Sequence, residues 1–130
     1  MRFELLLEDC LADGCVVVTN SSADAHSPGT EKTALAMSGA FDVPLGTEFT
    51  ELLCKRLTGE DFLIEEPLGT QRISLRVAEI EWFRKLIAVV PNGHHAAVRF
   101  EGQGMELARE ALAARSKGTH VYLVKNDTDT

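Results

Sequence analysis

Aromatic residues are scarce in this chain of 130, with one Trp, one Tyr and six Phe, so any core must be built mostly of Leu, Val, Ile and Ala. Cysteine is equally sparse. Cys10, Cys15 and Cys54 are odd in number and follow no disulfide framework, which predicts reduced thiols in a reducing compartment. There is no CxxC pair, no HxxxH pair and no acidic partner for the histidines at a suitable spacing, which argues against a metal site, and no cofactor motif stands in its place. No apolar run approaches the roughly 18 residues that a membrane helix needs. The opening MRFELLLEDC carries acids where a secretory leader carries basic residues, and it has no small-residue cleavage site. These absences predict a cytoplasmic protein with no membrane association. Basic charge is also in deficit. A net charge of −7 opposes nonspecific binding to DNA or to an anionic bilayer.

What is present is globular: 45% apolar and 25% charged residues, enough for a single domain over residues 1–130 with one core. The pattern along the chain is that of short strands. Phe3, Leu5 and Leu7 alternate with Arg2, Glu4 and Glu8; Asp13-Gly14 marks a turn, and Cys15 to Thr19 is a β-branched run. Residues 20–32 carry Ser, Asn, Asp, Pro and Gly without a large apolar side chain, which predicts an inserted surface loop. Strand character returns at Thr33 to Met37 and at Phe41 to Val43, and Pro44-Leu45-Gly46 is a turn. Phe49 to Leu53 fits either a strand or the start of a short helix. TGEDFLIEEPLG (58–69) reads as turn, short strand and acidic turn. Ile73, Leu75 and Val77 then alternate with Arg72, Ser74 and Arg76, the clearest strand in the chain. Pro91-Asn92-Gly93 is a turn, followed by a strand through Ala96, Val98 and Phe100.

From Gly104 the period lengthens. Met105, Ala108, Ala111, Leu112 and Arg115 recur at three and four, with Glu106 and Glu110 early, Lys117 late and Gly118 as a stop, predicting an amphipathic helix over about 104–117. His120 to Val124 is a last strand. Strands at roughly ten-residue spacing with one helix predict a mainly all-β fold, a small closed β-barrel with a C-terminal helix.

One stretch resembles a known family. RISLRVAEIEWFRKLIAVVPNGHHAAVRFEG (72–102) is similar to the second, β-barrel domain of elongation factor Tu and related translation GTPases, in which a strand enters a Glu-x-Phe-Arg-Lys box and a Gly turn leads into a strand closing near a Gly. The box here is Glu81-Trp82-Phe83-Arg84-Lys85, the turn Asn92-Gly93 and the close Phe100-Glu101-Gly102. FELLLEDCLADGCVVVTN, AFDVPLGTEFTEL and VYLVKND resemble further strands of that domain, so the likeness touches about two thirds of the chain. The chain departs from the family in the 20–32 insertion and in the long helix. It also has no GxxxxGK[ST] loop and no NKxD-like motif, so the resemblance is to the barrel without its GTPase domain. In that family the barrel helps hold the aminoacyl end of a charged tRNA. Glu81 and Arg84 match family positions contributing to that pocket, while His95 stands where the family usually has Asn.

Charge singles out the same region. Residues 72–99 hold five basic side chains, Arg72, Arg76, Arg84, Lys85 and Arg99, against Glu79 and Glu81, a basic island on an acidic body. Such an island binds a phosphate or an acidic partner surface, or else pairs with neighbouring acids as an ordinary solvated face. His94 and His95, adjacent on a strand, are expected on opposite faces. Cys54 sits beside Lys55-Arg56, which would lower its pKa. Trp82 and Phe83 either stack a base or belong to the core, one buried and one partly exposed.

These features lead to a non-catalytic binding module that engages a protein or ribonucleoprotein partner through Glu81, Arg84, His95 and Arg99. The alternatives are direct binding of an RNA end or nucleotide-like ligand in the same pocket, and a small thiol- or His-dependent hydrolase using Cys54 or His95.

Overall fold

The structure, a computed structural model, describes residues 2–25, 39–60 and 64–125. Among the described residues nine strands and one α-helix run in the order β1 (Phe3–Cys10), β2 (Val16–Asn20), β3 (Val43–Pro44), β4 (Glu48–Thr58), β5 (Ile64–Trp82), β6 (Lys85–Ile87), β7 (Val89–Val90), β8 (His95–Gln103), α1 (Met105–Ala114) and β9 (Thr119–Lys125). The main sheet has the order β4-β9-β1-β2-β8-β5-β6, and β4 also pairs with β5. Six strands therefore close on themselves in an antiparallel ring, which leaves only the short β6 outside as an appended edge. The 19-residue β5 makes closure possible by pairing with β4 along its first half and with β8 along its second.

The inward positions are the alternating apolar residues. Leu5 and Leu7 of β1, Val16 and Val18 of β2, Phe49 and Leu52 of β4, Ile73, Leu75 and Val77 of β5, Val98 of β8 and Leu123 of β9 form one buried cluster. Each such side chain contributes roughly 1.5–3 kcal/mol on burial. Val43 and Val90, paired in a separate two-stranded sheet of β3 and β7, join the same core. Phe49 and Phe100 meet edge to face, with centroids 6.4 Å apart.

Several expectations are corrected here. Phe49 to Leu53, open between strand and helix on sequence, takes the strand form. The acidic segment from Ile64 to Gly69 is not a turn but the start of β5, held by the β4 ladder from Thr58 to Cys54. The helix ends at Ala114, not 117. Arg115 is extended (φ −63°, ψ 138°), and its guanidinium leaves the helix to donate to the carbonyls of Leu7 and Glu8 on β1. At the other end Gly104, at φ 109°, starts the helix so close to Ile73 that a Cβ there would lie 2.4 Å from Ile73 Cγ2.

The beginning of the expected 20–32 loop belongs to the core. Asn20 is buried, its Nδ2 donating to the carbonyls of Phe41 and Val90 at 2.8 Å each, and its Oδ1 accepts from Ser22 N–H at 3.0 Å. A polar side chain is tolerated there because its hydrogen bonds replace those to water. Ser22, also buried, starts a 3₁₀ turn over Ser22–Ala25, and its Oγ accepts from Glu4 N–H at 2.9 Å. The rest of that loop and the strand expected at Thr33 to Met37 lie outside the described residues. Among the described residues no helix is long and apolar enough to cross a membrane.

A cavity beneath a strained hairpin

β5 and β6 are joined by the tightest connection a hairpin allows. Trp82 pairs with Lys85, and only Phe83 and Arg84 lie between them. Both have positive φ, 51° at Phe83 and 64° at Arg84. Two successive left-handed residues make a type I′ turn, whose twist matches that of the flanking strands, and the residues that make it cheaply are Asn and Gly. A Phe and an Arg there hold the backbone against a preference of about 1–2 kcal/mol per residue. The turn also displays what it strains to hold: Phe83 is 80% exposed and Leu86 69%.

Below the turn is a cavity of about 540 Å³ lined by Glu81, Trp82, Phe83, Arg84, His94 and His95, with Val17, Ala96 and Ala97 as its floor. Its wall is aromatic. The Trp82 ring lies 4.8 Å from Phe83 and meets His94 edge to face at 5.5 Å. Trp82 is half-buried and Phe83 exposed, as strand alternation would have it, but the cause is the turn.

Of the four residues expected to form a site, Glu81, Arg84 and His95 line this one cavity. Arg99 does not join them. It sits opposite Glu79 in the β5–β8 ladder, and its Nη1 donates to the Asp13 carbonyl at 3.1 Å, tying the β1–β2 turn to β8. At that turn the Cys15 N–H donated to Asp13 Oδ1, with smaller help from the Arg99 guanidinium, holds the Asp13 carboxyl below its ordinary range.

The basic island divides in the same way. Arg76 is paired with Glu101, and Arg99 faces Glu79. Among the described residues Arg84 and Lys85, at the hairpin, have no carboxylate within ion-pair distance.

His95 is held from behind. Its Nδ1 lies 2.7 Å from both Glu8 Oε2 and Thr19 Oγ1, and Thr19 Oγ1 donates to the same Glu8 oxygen at 2.8 Å. With Nδ1–H directed at the carboxylate, Nε2 is the nitrogen left to a ligand. Glu8 and Thr19 were not anticipated from sequence, because 76 residues separate Thr19 from His95. Nor is this a nucleophile arrangement, since acid and hydroxyl meet the same ring nitrogen. His94 lies in the turn before β8 and lines the same cavity as His95, so the two do not take the opposite faces expected of neighbours on a strand. Among the described residues there is no group of three or more His, Cys, Asp or Glu able to hold a metal.

Burial disfavours the thiolates of Cys15 and Cys54. All three cysteines are free, and burial pushes the Cys15 and Cys54 thiols up from 9.0. The lowering expected at Cys54 from Lys55 and Arg56 is not seen: desolvation between β5 and β9 sets its direction. Compared with known proteins, the chain matches no family model, no curated protein and no solved structure.

Proposed function

We propose that this chain is a non-catalytic binding module, a small barrel of the kind found as the second domain of translation GTPases, which docks a protein partner on the tip and cavity of the β5–β6 hairpin. The observation that carries the reading is the turn itself: two non-glycine residues in left-handed conformation, one of them a Phe standing 80% in solvent. Stability alone favours neither feature. Backbone strain and exposed apolar area concentrate at sites of contact, where a partner's burial of Phe83 and Leu86 repays both. Arg84 and Lys85, which meet no carboxylate among the described residues, favour a partner surface that carries acids around an apolar pocket. The likeness of the Glu81 to Lys85 box to translation-factor barrels supports the same face, and the partner is a protein or ribonucleoprotein of the cytoplasm.

Direct binding of an RNA end or nucleotide is the second reading, favoured by the cluster of Trp82, Phe83 and His94 rings beside Arg84, on which a base can stack. One experiment separates the two. The tagged protein and its Phe83→Asp/Leu86→Asp variant are cross-linked in lysate, and a short single-stranded RNA is titrated in parallel at several salt concentrations. The protein reading expects a cross-linked polypeptide that the variant loses, and no RNA binding at low salt. RNA affinity that falls steeply with salt and drops in Arg84→Ala would put the second reading first.

A further inference from the structure

A second cavity, of about 430 Å³, lies where α1 passes into β9. Its polar lining comes from Glu8 on β1 and from Arg115, Ser116, Lys117, Thr119 and His120. The chain turns tightly here: Thr119 N–H donates to Ser116 O at 3.0 Å, with Gly118 at φ 83° between them, and the Ser116 and Thr119 hydroxyls lie 3.1 Å apart. Two cations flank the turn. Arg115 is held in place by carbonyls, at 2.9 Å from Glu8 O and 3.5 Å from Leu7 O, which fixes its guanidinium, and it has no carboxylate within ion-pair distance among the described residues. Lys117 has no carboxylate within ion-pair distance among the described residues. The opposing acid, Glu8, has its carboxylate engaged by Thr19 Oγ1 at 2.8 Å and His95 Nδ1 at 2.7 Å.

We propose that this turn binds a phosphomonoester dianion. A positioned guanidinium, an ammonium and the one O–H that the bonded Ser116–Thr119 hydroxyl pair leaves to turn outward are a set of donors to several oxygens, more than a planar carboxylate offers and suited to a tetrahedral group. Two positive charges, neither paired with a carboxylate among the described residues, match two negative ones. A protein of net charge −7 repels anions at long range, so retention of a dianion requires a local cationic seat of this kind. The cavity is much larger than a phosphate and leaves room for the esterified group. The site shares no lining residue with the hairpin cavity and does not rest on the function proposed above.

The test is an amide chemical-shift titration of the whole chain with inorganic phosphate, methyl phosphate and dimethyl phosphate, with sodium chloride matched for ionic strength. The expected result is saturable shifts confined to the amides around 115–120 for inorganic and methyl phosphate, and none for the diester or chloride. Lys117→Gln, an exposed substitution that keeps the fold, is expected to raise the half-saturating phosphate concentration about tenfold, the loss of one charge-assisted hydrogen bond. Shifts equal in chloride or in the diester, or a half-saturation point that Lys117→Gln leaves unchanged, would overturn the proposal.

Discussion

Replacing Phe83-Arg84 by Asn-Gly should make the protein more stable while it loses its partner. The left-handed conformation costs an L-residue about 1–2 kcal/mol. At position 84 glycine removes that cost, offset by the roughly 0.5–1 kcal/mol of extra chain entropy that glycine loses on folding. Asparagine at 83 tolerates the left-handed region, but its gain is roughly cancelled by loss of the Trp82–Phe83 ring contact, with centroids 4.8 Å apart, itself worth about 0.5–1.5 kcal/mol. The net is a stabilisation of about 0.5–1 kcal/mol, or a rise in Tm of roughly 2–4 °C for a domain of this size. Thermal unfolding followed by circular dichroism reads it directly. A fall in Tm would refute the claim that the turn is strained. A rise in Tm with partner capture unchanged would leave the strain standing and remove the proposed function, because Phe83 would then be displayed for nothing.

Three further outcomes follow from the packing. In Gly102→Ala the new Cβ would lie 2.0 Å from the Ser74 carbonyl oxygen at a backbone φ of 130°, so urea unfolding should show a loss of about 3 kcal/mol or more. Asn20→Ala withdraws the buried donors to Phe41 O and Val90 O and should cost roughly 2–3 kcal/mol by the same assay, while an exposed substitution such as Lys117→Gln stays within about 0.5 kcal/mol. Burial raises the Cys15 and Cys54 thiols, so the folded chain keeps protons that the unfolded chain releases first. Their contribution is complete below pH 9 and is lost as pH climbs through the raised values; the alkaline decline in stability should flatten in Cys15→Ala/Cys54→Ala.

The strand identities were legible where alternation is clean. Leu5, Leu7, Ile73, Leu75, Val77, Ala96 and Val98 face inward in the phases their spacing announces. The first half of β5 was misread because EEPLGTQ carries a Pro, a Gly and two acids; it is strand because the β4 ladder holds it, a tertiary cause that no local window contains. Asn20 was assigned to a loop on composition, yet its partners Phe41 and Val90 are 21 and 70 residues away. Within the site, Glu81, Arg84 and His95 were found together through the resemblance, whereas the Glu8 and Thr19 support behind His95 depends on β1 and β2 lying beside β8. Arg99 was included on charge alone, and charge does not tell a side chain which neighbour it will meet.

The site depends further on a fault in the regular pleat. Continued at period two from Ile73, Leu75 and Val77, the inward face of β5 would next take Glu79 and Glu81, and two carboxylates would enter an apolar core at a cost no partner there could offset. The register of the β5–β8 ladder instead slips between Val77 and Glu79. After this bulge the phase is reversed, so Ile80 is fully buried and Glu81 reaches the cavity. The sequence carries the sign of it in the spacing from Val77 to Ile80, three where two would continue the strand. β1 slips in the same way between Leu7 and Asp9, directly after its last buried leucine, and the residue spanned is Glu8, which orients His95. Glu81, which lines the cavity, and Glu8, which meets His95, therefore owe their positions to bulges on strands that otherwise alternate regularly. Removing Ala78 would place Ile80 two positions after Val77, so a regular β5 without the bulge should still bury Ile80 and turn Glu81 to the cavity, and a variant that folded with Glu81 buried would show that something other than this spacing sets the site.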